Sequence, residues 1–443
     1  MQNNKILHFI KIFLFFVMLG IIGILSLVLS RPTTSETEKR ELAKFPSFSF
    51  SSLLNGSYAS GIDKWYSDTM PNRDSFIALN TKLWSIKGIT LGGEVQGTVT
   101  DSDDIPDTFD EPIIIPPTTE GNNGTSGNNT TSTTQKEEEP IDPNDKGETI
   151  NALYVYDNAA YSYYSFVKST SGKYVGAVET AAMMLEGKAN VYDIIVPLAT
   201  DIVLKDSVRA NLNTSDQRAA INYMYSGFKK AQTVSIFDTL REHRDEYLYF
   251  RTDHHWTALA AYYTYTEWAD VKGIMPNDIN DYETVTFDGF LGTLYAKTNN
   301  SPALGNTPDE VIAYYPMGTN DMVFTQNDGT KLNWKVVTNV SNWVAGSKYN
   351  TFIGGDNPFS VIENPAITDD SACVVVKESF GNAFVPFLVD HYQYVYVIDY
   401  RYYKGDFYNF IEQNNVQDVI FINNISATST AARVNELSKL VGY

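Results

Sequence analysis

Residues 373–382 have the sequence CVVVKESFGN, an apolar run that ends in a short polar segment. The β-branched residues predict a buried strand from Cys373 to Val376, followed by a helical stretch that begins at Ser379. Many α/β hydrolytic folds place a nucleophile at such a point, because the amides of a helix N-terminus stabilise a developing oxyanion. The alternative is that Ser379 only caps the helix, which is a common role for serine.

Strand and helix patterns alternate on both sides of this segment, from residue 150 onward. The predicted strands are Leu153–Tyr156, Val191–Pro197, Thr233–Phe237, Cys373–Val376, Tyr394–Ile398 and Val419–Ile422, and the predicted helices are Tyr174–Leu185, Asp216–Lys230 and Thr257–Asp270. This alternation predicts an α/β fold with a mostly parallel sheet covered on both faces. Ligands bind such sheets at the carboxyl ends of the strands. Residues 289–357 break the alternation and are expected to form a loop-rich insertion or a lid.

A second polar segment, residues 251–257 with the sequence RTDHHWT, lies just before a predicted helix. Two of the chain's five histidines, His254 and His255, follow Asp253 here. An aspartate two residues from a histidine can bind its Nδ1 and leave Nε2 free to act as a base. The alternative is that Asp253 caps the helix and the histidines are incidental. Together with Ser379, the segment supplies the three residue types of a Ser-His-Asp triad.

In this order, the two segments resemble those of the DHHW proteins, relatives of the alginate O-acetyltransferase-like branch of the SGNH hydrolase superfamily. The resemblance extends over most of the ordered chain, through WYSDTMPNR at 65–73, DGFLGTLY at 288–295, FIGGDNP at 352–358 and IDYR at 398–401. It implies an SGNH-like (flavodoxin-like) three-layer sandwich. It also implies a circularly permuted motif order, in which the Asp-x-His pair precedes the serine.

The resemblance further implies that Ser379 is the nucleophile, His255 the base and Asp253 the residue that orients the base. It gives auxiliary or substrate-binding places to His254, Trp256, Gly354, Gly355, Asn382 and Arg401. The amides of Ser379 and of the Gly354–Gly355 pair are candidate oxyanion donors. Arg401 could bind an acidic sugar, steady the loops of the site or pair with Asp399.

Three neighbours of the candidate nucleophile carry expectations of their own. Glu378 stands where the better-known SGNH motif has an aspartate before the serine. Lys377 is expected to be solvated. Cys373, the single cysteine of the chain, lies within a predicted strand and is expected to be a small core residue.

The first thirty residues predict a membrane anchor. Ile12 to Leu29 is an uncharged run of about 18 residues, long enough as a helix to cross the hydrocarbon core of a bilayer. Lys5 and Lys11 precede the run, and no small-x-small cleavage site ends it. We therefore expect an uncleaved signal anchor over residues 1–30, a single-pass protein of the cell membrane, and an extracytoplasmic catalytic domain.

Charge is distributed unevenly over the remaining chain. Residues 91–149 contain 14 acidic and two basic residues, a net charge of −12 out of −20 for all 443 residues. This composition predicts an acidic, low-complexity, disordered insert between an N-terminal segment at 31–90, which packs on the catalytic domain, and that domain at 150–443. With 33 Lys and Arg against 53 Asp and Glu, the chain is unsuited to binding nucleic acid.

The predicted function is O-acetylation of a cell-surface or secreted polysaccharide through an acetyl-serine, without a cofactor. A membrane-embedded acyltransferase would have to deliver the acetyl groups, and attack by water would make the same site a carbohydrate O-acetylesterase. Two rival functions stay open. Asp-His-His also occurs in manganese-dependent phosphoesterases of the DHH type, whose sites need further Asp and His ligands, and a non-catalytic glycan-binding protein could use the same fold.

Overall fold

The computed structural model describes residues 102–109 and 147–443, together with short stretches between residues 30 and 71 (30–32, 34–35, 40–41, 44–48, 58, 62, 65–66 and 69–71). The predicted anchor, Ile12 to Leu29, lies outside the described residues. In the part of the chain that is described, no helix has the length and apolar character needed to cross a membrane.

The chain divides into two units, Met1–Glu94 and Val95–Tyr443. In the first unit, β1 (Thr34–Ser35) and β2 (Arg40–Glu41) form a short antiparallel pair. The guanidinium of Arg31 lies 4.1 Å from the centre of the Trp65 ring, a cation–π contact.

The second unit contains strands and helices in alternation. Its strands are β3 (Glu148–Ile150), β4 (Leu153–Tyr156), β5 (Ala159–Ser162), β6 (Asn190–Val196), β7 (Gln232–Thr233), β8 (Glu283–Phe290), β9 (Asp309–Tyr315), β10 (Asp321–Thr325), β11 (Lys331–Lys335), β12 (Phe359–Glu363), β13 (Ala372–Lys377), β14 (Tyr394–Asp399) and β15 (Asp418–Asn424). Its helices are α1 (Lys168–Met184), α2 (Ala199–Ile202), α3 (Asp206–Arg209), α4 (Gln217–Ser226), α5 (Phe237–Glu242), α6 (Ala258–Lys272), α7 (Thr293–Lys297), α8 (Pro302–Gly305), α9 (Phe407–Gln413), α10 (Ile425–Thr428) and α11 (Ala431–Val441).

An eight-stranded sheet forms the centre of this unit, in the order β11-β10-β12-β14-β13-β15-β6-β7. The five strands from β14 to β7 are parallel to one another. Beyond β14, each strand is antiparallel to the one before it, in the pairs β14–β12, β12–β10 and β10–β11. Every residue of β13 and β15 is buried. Their continuous apolar runs are explained by this burial, because a central parallel strand is covered on both faces.

Neighbouring residues of β6 show that helices cover both faces of the sheet. The Tyr174 hydroxyl of α1 donates to Asp193 at 2.5 Å, whereas the Trp268 ring of α6 lies 6.1 Å from the ring of Tyr192. Consecutive side chains of a strand point to opposite faces. Helices α1 and α6 therefore lie on opposite sides, and the expectation of an α/β sheet between two helical layers is confirmed.

The expectation of a loop-rich insertion or a lid over residues 289–357 overlooked the strands of this segment. Strands β8 and β9 form an antiparallel pair, and the β10–β11 hairpin joins the edge of the central sheet through β12. Strands β8 and β11 were not predicted because β11 and much of β8 are exposed. Their sequences therefore lack the continuous apolar run of a buried strand.

Part of the predicted disordered insert, residues 102–109, is packed within the second unit. The amide of Asp103 donates to the carbonyl of Phe166 at 3.0 Å, and its carboxylate accepts from the amide of Lys168 at 2.8 Å. The ring of Phe109 lies 5.4 Å from that of Tyr223. Residues 102–109 thus pack on the helical face around α1 and α4, while residues 110–146 lie outside the described residues.

Candidate active site

Ser379 lies two residues beyond the end of β13, at the carboxyl edge of the parallel strands. This is where the strand pattern places it. The helical stretch expected after Ser379 consists of two 3-10 turns, Ser379–Ala383 and Val385–Leu388, and not of one continuous helix. Pro386 accounts for part of this difference, because proline lacks the amide hydrogen that a continuing helix needs.

A tight loop holds Asp253 and His255 in front of α6. An isolated bridge pairs Tyr249 with Trp256, and the amide of Phe250 donates to the carbonyl of His255 at 3.2 Å. The helix begins only at Ala258. The Asp-His segment is therefore a hydrogen-bonded loop that precedes the helix, and Asp253 does not cap it.

Asp253, His255 and Ser379 form a continuous chain of hydrogen bonds. Asp253 Oδ1 lies 2.5 Å from His255 Nδ1, and His255 Nε2 lies 2.7 Å from Ser379 Oγ. Because the carboxylate accepts at Nδ1, the proton of a neutral ring is on Nδ1 and Nε2 accepts from the serine hydroxyl. Asp253 and His255 are buried and Ser379 is partly exposed, so this series of hydrogen bonds runs from the protein interior to the surface.

The second carboxylate oxygen of Asp253 is also bonded. Oδ2 accepts from the amide of Thr293 at 2.7 Å. Burial alone would raise the pKa of Asp253, but the neighbouring rings of His254 and His255 and these hydrogen bonds outweigh burial and hold the pKa well below its usual range. Asp253 is therefore a fixed negative charge beneath His255.

The ring of His255 is clamped on its face as well as at its edges. Tyr349 stacks on it with ring centres 3.9 Å apart and ring planes 8° apart. The Tyr349 hydroxyl donates to the carbonyl of Ser379 at 3.0 Å. One tyrosine thus fixes both the imidazole plane and the backbone of the serine.

His254 and Trp256, the neighbours of His255 in the sequence, each make a hydrogen bond that helps to fix the Asp-His loop. His254 Nδ1 lies 2.6 Å from Thr293 Oγ1, and burial, followed by the neighbouring His255, lowers the pKa of His254 to about 3. The fully buried Trp256 donates from Nε1 to the carbonyl of Phe380 at 2.9 Å. Trp256 therefore ties the Asp-His loop to the serine turn and has no exposed surface for a substrate.

The expectation that Lys377 is solvated was wrong. Its side chain is fully buried and donates to Asp399 at 3.0 Å and to Asp356 at 3.1 Å. The cause is the register of the sheet, since Lys377 lies directly opposite Asp399 on the neighbouring strand. Arg401 joins the same group and lies 2.6 Å from Asp399 and 2.9 Å from Asp356.

Of the roles left open for Arg401, the structure shows the ion pair with Asp399 and, through Asp356, a contact that steadies a loop of the site. Two cations and two carboxylates offset one another in this group, which lies at the ends of β13 and β14. Asn382, in the serine turn, donates to Asp356 at 3.1 Å. The group therefore links Ser379's turn to the loop that carries Asp356.

The glycine pair lies in that loop. Gly354 and Gly355 have φ values of +67° and +83°, a left-handed region in which other residues are strained. The amide of Gly355 donates to the carbonyl of Phe352 at 3.0 Å, so this candidate oxyanion donor is already occupied. The amide of Ser379 begins its turn and is not used within it, because the first internal bond runs from Gly381 to Glu378.

Glu378 is buried beside the serine. Oε1 accepts from the amide of Asn424 at 3.0 Å, and Oε2 lies 3.2 Å from Ser379 Oγ. The serine hydroxyl has a single hydrogen, and the shorter distance favours His255 as its acceptor.

Asp253, His254 and His255 also form a group of potential metal ligands within the described residues. Both Nδ1 atoms and one Nε2 already take part in the contacts above. The remaining histidines of the described residues lie elsewhere, His243 against Glu246 and His391 against Tyr265. The phosphoesterase alternative would require further histidine ligands in this group, and the described residues bring none to it.

Sequence reasoning missed the contributions of Tyr349, Thr293 and Gly292. The last two were within the segment DGFLGTLY that resembles the DHHW pattern, but nothing in it indicated contact with Asp253. A Cβ on Gly292 would lie 2.6 Å from Asp253 Cγ, so this glycine allows the close approach. Tyr349 lies in an irregular 3-10 segment, Ala345–Thr351, and no pattern in the sequence pointed to it.

Comparison with known proteins places this site in a family. A protein-family model described as DHHW protein matches residues 38–115 and 98–398, more than half of the chain. No curated protein matches the sequence. A solved DHHW family protein from Eubacterium siraeum is 26% identical, with 65% of this chain and 96% of that chain covered and a TM-score of 0.59.

Two solved structures of Bacillus cereus PatB1 are similar in fold. One is 20% identical, with 66% of this chain and 99% of that chain covered and a TM-score of 0.52. The other, with a sulfonyl adduct, is 18% identical, with 63% and 98% covered and a TM-score of 0.53. Since the family model spans both the Asp-His loop and the serine turn, this chain belongs to the DHHW family.

Proposed function

We propose that this protein is an extracytoplasmic, serine-dependent O-acetyltransferase that acetylates a cell-surface or secreted polysaccharide through an acetyl-serine intermediate. The observation that carries the proposal is the hydrogen-bonded chain from Asp253 through His255 to Ser379 Oγ. A buried carboxylate, an oriented imidazole and a partly exposed serine are the groups that acyl transfer through a covalent intermediate requires. The choice of acetyl and of polysaccharide follows the resemblance to the alginate O-acetyltransferase-like branch.

In the first step, Ser379 Oγ attacks the carbonyl carbon of an acetyl donor while His255 Nε2 takes the serine proton. The resulting imidazolium is stabilised by the carboxylate of Asp253. The tetrahedral oxyanion accepts from the amide of Ser379, and one such donor is worth about 10²–10³ in rate. His255 then returns the proton to the leaving oxygen, the carbon–oxygen bond of the donor breaks, and acetyl-Ser379 remains.

In the second step, a polysaccharide hydroxyl attacks the acetyl-serine and gives its proton to His255. The tetrahedral intermediate collapses, Ser379 Oγ leaves and recovers the proton from His255, and the acetylated sugar departs. Water attacking in place of the sugar would give acetate, which is the carbohydrate O-acetylesterase alternative. The two activities differ only in the acceptor and in the exclusion of water.

The proposal includes a location and a partner. Residues 1–30 anchor the protein in the cell membrane, and the catalytic unit faces the outside. Acetyl groups on that side come from a membrane-embedded acyltransferase, beside which the anchor holds the enzyme. Loss of polysaccharide acetylation on deletion of residues 1–30, with ester turnover by the truncated protein retained, would support this arrangement, and loss of both would count against it.

The test of the chemistry uses the full chain and a chromogenic acetyl ester. Ser379→Ala and His255→Ala should each lower kcat/KM by about 10⁴ or more, and the double variant should be no worse, because the two residues act as one unit. Ser341→Ala, at an exposed serine, is the matched control and should be as active as wild type.

Trapping the nucleophile completes the test. A sulfonyl fluoride should form an adduct on Ser379, in keeping with the sulfonyl adduct captured on PatB1. Mass spectrometry should also find an acetyl group on Ser379 after rapid quenching. Undiminished turnover by Ser379→Ala would refute the mechanism, and a wild-type protein without any turnover or adduct would favour the non-catalytic glycan-binding alternative.

A further inference from the structure

An open pocket of about 270 Å³ lies at the turn that follows β14. Four aromatic side chains line it, Phe359, Tyr402, Tyr403 and Phe410. The ring of Phe359 packs 5.9 Å from that of Tyr403 and 5.2 Å from that of Phe410. Tyr402 is 39% exposed, so part of its side chain is open to solvent at this pocket.

Apart from the aromatic side chains, the pocket lining is largely polar and nearly uncharged. Gln326 and Asn327, at the tip of the β10–β11 hairpin, contribute exposed amide side chains. Lys404 is the one charged residue of the lining. An amide both donates and accepts hydrogen bonds, which suits the hydroxyl groups of a sugar, and the aromatic face suits the C–H face of a sugar ring.

Strand register places this pocket at the same edge of the sheet as Ser379. Phe359, the first residue of β12, pairs with Ile398 near the carboxyl end of β14, and with Thr325 at the end of β10. Strand β14 in turn is the neighbour of β13, which ends before Ser379. With neighbouring strands about 4.8 Å apart, the pocket wall at β12 is roughly 10 Å along this edge from the serine's strand.

The charges between the pocket and the serine are already paired. Arg401, directly before Tyr402, is bound to Asp399 and Asp356, and its guanidinium also lies 5.3 Å from the Tyr402 ring. No cation of this group is left open for an acidic sugar. The amides of Tyr402 and Tyr403 both donate to the carbonyl of Asp399, at 3.0 and 2.9 Å, so the same turn fixes the aromatic wall.

We propose that the pocket binds an uncharged sugar unit of the acceptor glycan, with the Tyr402 ring as its stacking platform. The inference rests on the proposed transfer of acetyl groups to a polysaccharide. The pocket then engages one part of the chain while another part, some 10 Å along the sheet edge, reaches Ser379. The acceptor is accordingly recognised as an oligomer with neutral units.

The test measures binding alone, in a Ser379→Ala background where no acetyl chemistry takes part. Cellohexaose is the uncharged probe and a hexamer of uronic acid is the charged probe, both titrated by calorimetry. Cellohexaose should bind more tightly than the uronate. Tyr402→Ala should weaken its binding by about tenfold, and Tyr402→Phe, which keeps the ring, by less than about twofold.

Equal affinities of the Tyr402→Ala and Tyr402→Phe proteins for cellohexaose would overturn the proposal, as would tighter binding of the uronate or no binding of cellohexaose at millimolar concentration. Equal unfolding temperatures of the two variants establish that both are folded, as expected for an exposed side chain. Failure of the proposed function has a different signature. In that case ester turnover is independent of Ser379, whatever the titrations give.

Discussion

Gly292→Ala tests whether the position of Asp253 controls the candidate active site. Gly292 has a φ of −85°, a value that alanine adopts readily, so the substitution adds no backbone strain. The new methyl group would lie 2.6 Å from Asp253 Cγ and closer still to the carboxylate oxygen and Cβ. Contact between such atoms needs about 3.5 Å, so the aspartate must move by roughly 1 Å.

A shift of this size separates the carboxylate from its partners. Asp253 is held by His255 Nδ1 at 2.5 Å and by the Thr293 amide at 2.7 Å, and both bonds fail when the carboxylate moves by about 1 Å. Displacement by 1 Å can cost about 10² in rate, and complete loss of the orienting aspartate about 10⁴. We therefore expect kcat/KM for an acetyl ester to fall by between 10² and 10⁴, which corresponds to about 3–5.5 kcal/mol of transition-state stabilisation.

The assay is turnover of a chromogenic acetyl ester, with the unfolding temperature measured in parallel. Gly289→Ala is the matched control: it lies three residues earlier at a φ of +76°, where an added Cβ meets nothing within 4 Å. That variant should lose about 1 kcal/mol of stability through backbone strain and keep its activity. A folded Gly292→Ala protein with more than half of the wild-type activity would refute the assignment of Asp253 as the orienting residue.

Three other substitutions test buried polar groups outside the Asp253–His255–Ser379 hydrogen bonds. Trp256→Phe removes the hydrogen bond to the carbonyl of Phe380 and should lower the free energy of unfolding, measured with denaturant, by about 1–3 kcal/mol. Trp268→Phe is the control, because it removes a buried Nε1–H that has no partner in the described residues, and it should lower that free energy by less. Equal losses of stability in the two variants would contradict this. Burial raises the pKa of Asp193 to about 7 from 3.8, despite the hydrogen bond from Tyr174, so the folded protein holds that proton more tightly than the unfolded chain does. The stability from Asp193 is therefore complete below about pH 4 and is lost, by about 4 kcal/mol, as the pH rises through about 7. Asp193→Asn should flatten this part of the pH profile of unfolding, and a profile identical to wild type would show that the buried carboxyl does not titrate there.

The sequence was sufficient for four of the five parallel strands and for the three residues of the hydrogen-bonded chain. The expected strand Thr233–Phe237 shares only Thr233 with β7, and a helix begins at Phe237. Strands β13 and β15 are buried on both faces, so their apolar runs stand out, and Ser379 follows one of them. Helix α6 was also predicted within two residues at its end, which Gly273 terminates with a φ of +78°. In each case the sequence pattern and its cause, the burial of a strand or the end of a helix, lie in the same short segment.

Features that depend on distant contacts were not predictable in this way. Lys377 looks like an exposed lysine at the end of a strand until the register sets it opposite Asp399, 22 residues later. Tyr349 reaches His255 from an irregular segment, across nearly a hundred residues of chain. Strand β11 has little apolar pattern because solvent covers most of its surface, and β10 has only the two buried residues Met322 and Phe324, so neither has the continuous apolar run of a buried strand.

The adjacent imidazoles of the Asp-His loop raise the question of which one carries the proton. Their ring centres are 3.9 Å apart, and two positive charges at that distance would repel by about 4 kcal/mol at an effective dielectric constant of 20. Burial lowers the pKa of His254 to about 3, so that ring stays neutral in the proposed transfer of the serine proton to His255. Thr293 makes the two rings unequal, because its amide holds the carboxylate of Asp253 while its side chain occupies Nδ1 of His254. The carboxylate of Asp253 is hydrogen-bonded to His255 and not to His254, so the low pKa of His254 leaves no second positive charge beside His255 in the proposed mechanism.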